Sequence, residues 1–164
     1  MKKQIFYVLL FIGLFHITAC DMFQKTQKPK VGSKSTKTEL MRVYESKIET
    51  EEKMDYLFNQ YVNLVQQGLQ TSNTSKGAET IQKFQTQNKT AVNKIISETN
   101  AWIDKLDRNQ SQDLGLRVVK KPYTRIFLDN IPKFNTKYKS YPAVTEGVAK
   151  VMSIFTKIRN KAKG

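Results

Sequence analysis

Two of the most reactive side chains are almost missing from this sequence. Its 164 residues contain one histidine, His16, and one cysteine, Cys20. Beyond position 20 the chain therefore offers no Ser-His-Asp site, no Cys-His site and no zinc site that uses histidine. The glycine patterns that cradle phosphates, GxGxxG and GxxxxGK followed by Ser or Thr, are also absent from the sequence. The commonest catalytic and nucleotide-binding sites are thus excluded.

Long apolar runs are also scarce, with one exception near the start. A run from Ile5 to Ile17 follows two lysines and is interrupted only by Gly13 and His16. A charged start and an apolar run of about 7–15 residues are typical of a secretory signal peptide. A transmembrane helix needs roughly 20 apolar residues. We therefore expect residues 1–19 to be a signal peptide that is removed.

The junction that ends this run is more specific. The segment Ile17-Thr18-Ala19-Cys20 resembles the lipobox of bacterial lipoproteins, in which an aliphatic and two small residues precede a cysteine. The resemblance implies cleavage before Cys20, a diacylglyceryl group on its sulfur, acylation of its new amino group, and no other cofactor. The alternatives are an ordinary signal with a chance cysteine, or an anchor that is never cut. Lipidation accounts for the lone thiol, which has no partner for an internal disulfide.

Asp21 bears on which membrane would hold the protein. Lipoproteins of enteric bacteria that carry aspartate directly after the lipidated cysteine resemble those retained at the inner membrane. The resemblance therefore implies the periplasmic face of the inner membrane for an enteric-type source. In other bacteria it implies the outer membrane or the cell surface.

Charge of one sign dominates the sequence. The formal net charge is +14, and removal of residues 1–19 lowers it by two. Residues 117–164 carry twelve cations against only Asp129 and Glu146. Such a field attracts anions, and lysines near an anionic bilayer gain about 1 kcal/mol each. The predicted contacts with an anionic surface are Lys25, Lys28, Lys30, Lys34, Lys37, Lys120, Lys121, Arg125, Lys157, Arg159, Lys161 and Lys163. The competing interpretation is a solvated basic face.

The remaining chain divides into a tether and a domain. Residues 20–37 combine lysines with proline, glycine and serine, which is typical of a flexible linker. From residue 38 to 164, apolar residues recur at threes and fours. The pattern predicts a helix from Thr38 that is weakest at 49–52, and a second from about Gly77 to Asp107. It then predicts a loop at 107–113, an undecided segment at 114–119, a helical segment at 123–138 that Pro132 breaks, and a helix after Pro142.

We therefore predict an all-α, up-and-down bundle of three long helices plus a Pro-broken helical segment. Asn88 lies on the second apolar stripe, where it either sets helix register or marks the edge; the edge is favoured. Trp102 is expected to pack in the core. Glu45, Glu49 and Glu52 would share one helix face, which predicts a cation or acid–base site or, preferably, a solvated strip that pairs with Lys47 and Lys53.

Three functions are compatible with these features. The favoured one is a non-enzymatic lipoprotein that acts as an interaction, assembly or exclusion module at the cell envelope, with an envelope protein as partner. The alternative is a binder of anionic lipid or glycan through residues 117–164. Nucleic acid shares the charge signature but is disfavoured for an exported chain. An enzyme that uses carboxylates alone is the least favoured of the three.

Overall fold

The apolar stripes of the sequence fold into six helices. The structure, a computed structural model, describes residues 37–163. The predicted signal peptide, Cys20, Asp21, the tether up to residue 36, and Gly164 lie outside the described residues. The helices are α1 (Glu39–Glu45), α2 (Thr50–Gln70), α3 (Thr74–Lys105), α4 (Arg108–Lys120), α5 (Pro122–Lys137) and α6 (Pro142–Lys163). Residues 37–163 contain no strand, which confirms the all-α bundle.

Three long helices make the frame of this bundle. They are α2, α3 and α6, with 21, 32 and 22 residues. Helix α3 packs between α2 and α6, while α1 lies against α3. Helix α4 packs on α6, and α5 packs on α2. Since α4 and α5 are consecutive but pack on different long helices, they spread over two sides of the frame.

An aromatic cluster forms the centre of the core. The rings of Phe58 and Phe155 stack with centroids 4.3 Å apart, which joins α2 to α6. Tyr123 and Phe127 of α5 pack on Phe58 at 5.0 and 6.1 Å. Aromatic pairs contribute about 0.5–1.5 kcal/mol beyond the area they bury. This cluster therefore fixes α5 against α2.

Capping side chains explain where several helices begin. Thr38 Oγ1 accepts the amide N–H of Met41 at 3.3 Å, so the predicted start of the first helix is confirmed. Asp107 and Gln110 form a reciprocal capping box with bonds of 2.8 and 2.9 Å. The loop predicted at 107–113 is therefore wrong. The box satisfies two amides that a helix start leaves unpaired, so polar residues here begin α4.

The first predicted helix is interrupted earlier than expected. Ser46 has an extended backbone, and both its amide and its hydroxyl bond the carbonyl of Val43. Because serine competes for the carbonyls of its own helix, it ends α1. Glu45 then closes α1, Glu49 precedes α2, and Glu52 lies in the first turn of α2. These acids do not share one helix face, so that prediction is wrong.

The two prolines of α5 have different effects. Pro122 is the first residue of α5, where its missing N–H costs no helical bond. Pro132 lies inside α5, which continues to Lys137. The predicted break at Pro132 is therefore wrong, and Pro122 instead marks where α5 begins after α4. Proline at 132 removes one bond to the carbonyl of Leu128, on a face where the Leu128 side chain is 66% exposed.

Two polar residues, Asn88 and Lys53, are buried in surroundings other than those the sequence predicts. Asn88 is buried rather than at the edge, and its side-chain amide donates to the carbonyl of Phe84 at 2.9 Å. This bond lies within α3, so it does not set register between helices. Lys53 is also buried and pairs with Glu98 at 3.0 Å, across helices and not along the acidic strip. Trp102 packs against the core as predicted.

Two helical glycines provide a matched test of this packing. A Cβ at Gly77 would collide with the hydroxyl of Tyr138, which is fully buried and donates to the carbonyl of Gly68 at 2.8 Å. A Cβ at Gly115 would meet Ile158 at 3.7 Å, an ordinary contact. We expect Gly77→Ala to destabilise the fold by about 1–3 kcal/mol. Gly115→Ala should stabilise it by about 0.5–1 kcal/mol through helix propensity.

Chemical unfolding of the two variants beside the parent chain measures both effects. Both substitutions replace a helical glycine by alanine, so opposite signs of the two stability changes would indicate the collision with Tyr138. Equal stability changes of the same sign would contradict the packing described for Gly77.

Candidate functional site: an apolar groove with a basic rim

Many cations of the basic carboxyl-terminal region are engaged within the bundle. Lys121 Nζ lies 2.5 Å from Asp55, and Lys157 Nζ lies 2.7 Å from Asp104. Lys161 donates to the backbone carbonyl of Asp104 at 3.0 Å. Lys137 donates to three carbonyls at the end of α2, between 2.5 and 3.0 Å. These lysines neutralise acids and helix ends of α2 and α3, so they are not a free anion-binding surface.

The other cations predicted to contact an anionic surface are mostly without a close ion pair in the described residues. Within residues 37–163, Lys120, Arg159 and Lys163 form no ion pair. Arg125 is 89% exposed along its side chain and only reaches Asp129 at 3.8 Å. Lys37 pairs with Glu45 at 2.6 Å. The remaining predicted contacts lie outside the described residues; they are Lys25, Lys28, Lys30 and Lys34.

Two of the unpaired cations, Arg159 and Lys163, line an apolar groove of about 660 Å³ between α4, α5 and α6. Its walls carry three large exposed side chains: Leu116 at 63%, Val119 at 69% and Leu128 at 66%. Scattered exposed apolar residues need no explanation, but a contiguous apolar patch marks an interaction site. The floor and ends are lined by Gln112, Gly115, Val118, Thr124, Met152, Phe155, Ile158, Arg159, Ala162 and Lys163.

The groove follows from how its three helices pack. Leu114 and Val118 are buried where α4 packs on α6. Helix α5 packs chiefly on α2 and reaches α6 through ring contacts of Tyr123 and Phe127 with Phe155. The helix faces between these contacts are left without a neighbour among the described residues. Leu116 and Val119 lie on such a face of α4, and Leu128 lies on such a face of α5.

Polar atoms of the groove are few and mostly engaged. Thr124 Oγ1 donates to the carbonyl of Val118 at 2.6 Å, and Gln112 Nε2 donates to the carbonyl of Ala162 at 3.3 Å. The charged lining residues that the structure describes are Arg159 and Lys163, near the end of α6. Among residues 37–163, no carboxylate lines the groove. The surface is therefore apolar along its length and positive at its edge.

A second, more polar groove lies between α3 and α6. It measures about 470 Å³ and includes Tyr61, Gln85, Lys89 and Gly147. Gln85 Nε2 donates to the carbonyl of Val144 at 3.1 Å and occupies the space above Gly147. Burial raises the pKa of Tyr61 to about 12, so its hydroxyl stays protonated. The Gln85 side chain thus joins α3 to α6 across this groove.

The carboxylates of α2 form a structural contact. Tyr123 Oη donates to Asp55 at 2.6 Å, beside the Asp55–Lys121 pair. Burial, and then the bond to Asp55, raise the pKa of Tyr123. Glu51 pairs with Arg117 at 2.9 Å, and Arg117 also reaches Asp113. Residues 37–163 hold no group of three metal-ligating side chains. The cluster ties α2 to the α4–α5 corner.

Comparison with known proteins gives no template for this surface. The chain matches no protein-family model, no curated protein and no solved structure. Residue roles are therefore not carried over from any relative.

The length and hydropathy of the described helices decide whether any of them could cross a membrane. Within residues 37–163, none is both long enough and apolar enough to cross a bilayer.

The exposed walls of the groove should be dispensable for folding. Phe127 and Leu128 are neighbours on α5, with exposures of 1% and 66%. We expect Phe127→Ala to destabilise the fold by about 3–5 kcal/mol, since it empties the aromatic cluster. Leu128→Gln should change stability by less than about 0.5 kcal/mol, as an exposed substitution does.

Denaturant midpoints of the two variants and the parent test this difference. A large loss of stability for Leu128→Gln would mean that Leu128 is part of the folding core, and that the groove is not an open surface.

Proposed function

We propose that the chain is a membrane-anchored bacterial lipoprotein that acts without catalysis, as an interaction module at the cell envelope. The observation that carries this proposal is the apolar groove between α4, α5 and α6. Leu116, Val119 and Leu128 project from its walls although the core does not need them. A partner that covers them removes this apolar surface from water, which drives association.

The composition of the groove supports a contact role. Protein interfaces typically have an apolar centre and a polar, charged rim. Here Val118, Phe155 and Ile158 supply the centre, while Arg159 and Lys163 supply part of the rim. Binding energy at such surfaces usually concentrates in a few central side chains. Phe155 is well placed for this role, because it is only partly buried and is held by stacking on Phe58.

The acids of the domain support a non-enzymatic role. Glu45 pairs with Lys37, Asp55 with Lys121, and Glu98 with Lys53. A catalytic carboxylate needs access to substrate and a pKa suited to proton transfer. These acids instead neutralise cations between helices.

The lipid anchor rests on the sequence. The lipobox Ile17–Cys20 and the apolar run before it support export and lipidation. The two chains of a diacylglyceryl group provide the pair of signals that stable anchoring requires. Residues 21–37 would span roughly 20–25 Å as a random coil. That reach allows the groove to meet partners at the membrane surface.

A second function is favoured by the unpaired cations. Arg159 and Lys163 lie at one surface, on the last turns of α6, and would bind an anionic envelope lipid or glycan. Contacts of this kind between exposed charges weaken as salt rises, because the Debye length falls to about 8 Å at physiological ionic strength. This alternative needs the rim alone, whereas the interaction module also needs the apolar walls.

The anchor predicts that labelled palmitate enters the protein only through position 20. Cells that express the full chain should incorporate the label, while Cys20→Ser should lose it and keep residues 1–19. The reason is that the thiol is the only sulfur nucleophile in the chain. Asp21→Ser serves as the matched control, because it keeps the lipobox and should keep the label. Label retained by Cys20→Ser, or missing from the parent, would disprove the lipoprotein assignment.

The contact surface predicts site-specific crosslinking in intact cells. A photo-crosslinking amino acid is placed singly at Leu116, Val119 or Leu128, with exposed positions Gln87 and Thr90 of α3 as controls. We expect a discrete protein adduct from the groove positions and none from the controls, since only the groove positions would face the partner.

Absence of a discrete protein adduct at all three groove positions would refute the interaction-module proposal. Lipid adducts in place of protein would favour the alternative function.

A further inference from the structure

We infer that the groove receives the apolar face of an acidic amphipathic helix from a partner protein. This inference rests on the proposed contact function and names the chemistry of the partner. It commits to one occupant, which follows from the length, the hydrogen-bonding groups, the shape and the charge of the groove.

The length of the groove suits a short helix. Helix α6 lines the groove from Met152 to Lys163. At about 1.5 Å per residue, that stretch is roughly 17 Å long. A partner helix of three to four turns covers the same distance. Its apolar residues at i, i+3, i+4 and i+7 would then meet Leu116, Val119 and Leu128 along one stripe.

The hydrogen-bonding groups of the groove favour a helix over an extended peptide. An extended segment leaves backbone N–H and C=O groups that must find partners, and a buried unpaired group costs free energy. The Thr124 hydroxyl and the Gln112 amide already bond carbonyls within the domain. A helix satisfies its own backbone, so it can enter an apolar surface that offers few donors or acceptors.

The shape of the groove favours a helix over a single acyl chain or a flat bilayer. Leu116 and Val119 stand on one side, Leu128 stands on the other, and each is more than 60% exposed. A helix with side chains is about 10–12 Å wide, which gives it the breadth to cover apolar side chains on two sides of a groove. A single acyl chain is much thinner and leaves the outer wall surfaces in water. A bilayer surface is flat and does not fill a concave groove.

The charge of the rim selects the sign of the partner. Arg159 and Lys163 line the groove, and Lys120 directly follows Val119 on α4. These cations lack an ion-pair partner in the described part of the chain. Glutamate or aspartate on the flanks of the bound helix would complement them. In a symmetric dimer, the same cations of two copies would approach each other, which disfavours self-association.

Two synthetic peptides of 14 residues test the inference directly. Both carry leucine at i, i+3, i+4 and i+7; one has glutamate on its flanks and the other has lysine. Membrane vesicles are prepared from cells that express the full chain with the photo-crosslinker at Leu128 or, as a control, at Gln87. We expect the glutamate peptide to crosslink at 128 about tenfold more than the lysine peptide at low salt, and neither peptide to crosslink at 87.

Charge reversal at the rim sharpens the result. The double variant Arg159→Glu, Lys163→Glu should invert the preference towards the lysine peptide. The matched control is Lys76→Glu, Lys83→Glu, which changes the net charge equally on exposed positions of α3 and should keep the original preference. Circular dichroism of both double variants checks that the helical content is retained.

Three outcomes would overturn the inference. They are equal crosslinking of both peptides, a phospholipid adduct at position 128 in place of the peptide, and a crosslinked dimer of the chain itself. If a protein adduct had formed in intact cells, the interaction-module function would survive each of them, and only the chemistry of the partner would change.

Discussion

The carboxylate of Asp55 holds the corner between α4 and α5 against α2. It accepts from Tyr123 and pairs with Lys121, the single residue between these two helices. Phe58 then packs on Tyr123 and Phe127, so the same corner is fixed by polar and aromatic contacts together. Helix α5 packs chiefly on α2 while α4 packs on α6, and the groove lies between them. The groove therefore follows from the core contacts that position α4 and α5.

The same contacts decide which cations remain at the surface. The carboxyl-terminal third supplies counter-charges for Glu51, Asp55 and Asp104 on the long helices. Part of its positive charge is thus used in ion pairs between helices at the bundle surface. Each such exposed pair contributes only about 0.2–1 kcal/mol. Of the cations left without an ion pair among the described residues, Arg159 and Lys163 line the groove. The net charge of the sequence indicates anion binding in general. In the structure, the cations at the groove are two residues at one edge of an apolar surface.

The fold was largely readable from the sequence, whereas the site was not. Apolar spacing located α2, α3 and α6, because long amphipathic stripes have a strong helical period. The start of α4 was misread, since Asp107 and Gln110 are polar and only their reciprocal bonds reveal a helix start. Leu114 and Val118 form the buried face of α4, so Leu116 and Val119 lie on a different, exposed face of the helix. These two apolar residues outside the stripe are the sequence feature that indicates the groove. The packing of α5 on α2 depends on long-range contacts that no local sequence pattern contains.

Long-range and short-range charge would have different roles in recognition by such a surface. The overall positive field attracts an acidic partner and raises the rate of encounter. At physiological ionic strength the field is screened over about 8 Å, so cations on distant faces add little once the partner has arrived. The rim cations are within contact range, and they fix the orientation of the partner more than its affinity. Affinity would come instead from covering Leu116, Val119 and Leu128, since burial of apolar surface yields about 25 cal/mol per Å² before the costs of association are subtracted. A partner that matches only the charge would thus bind briefly, and one that matches only the apolar stripe would bind without a preferred direction.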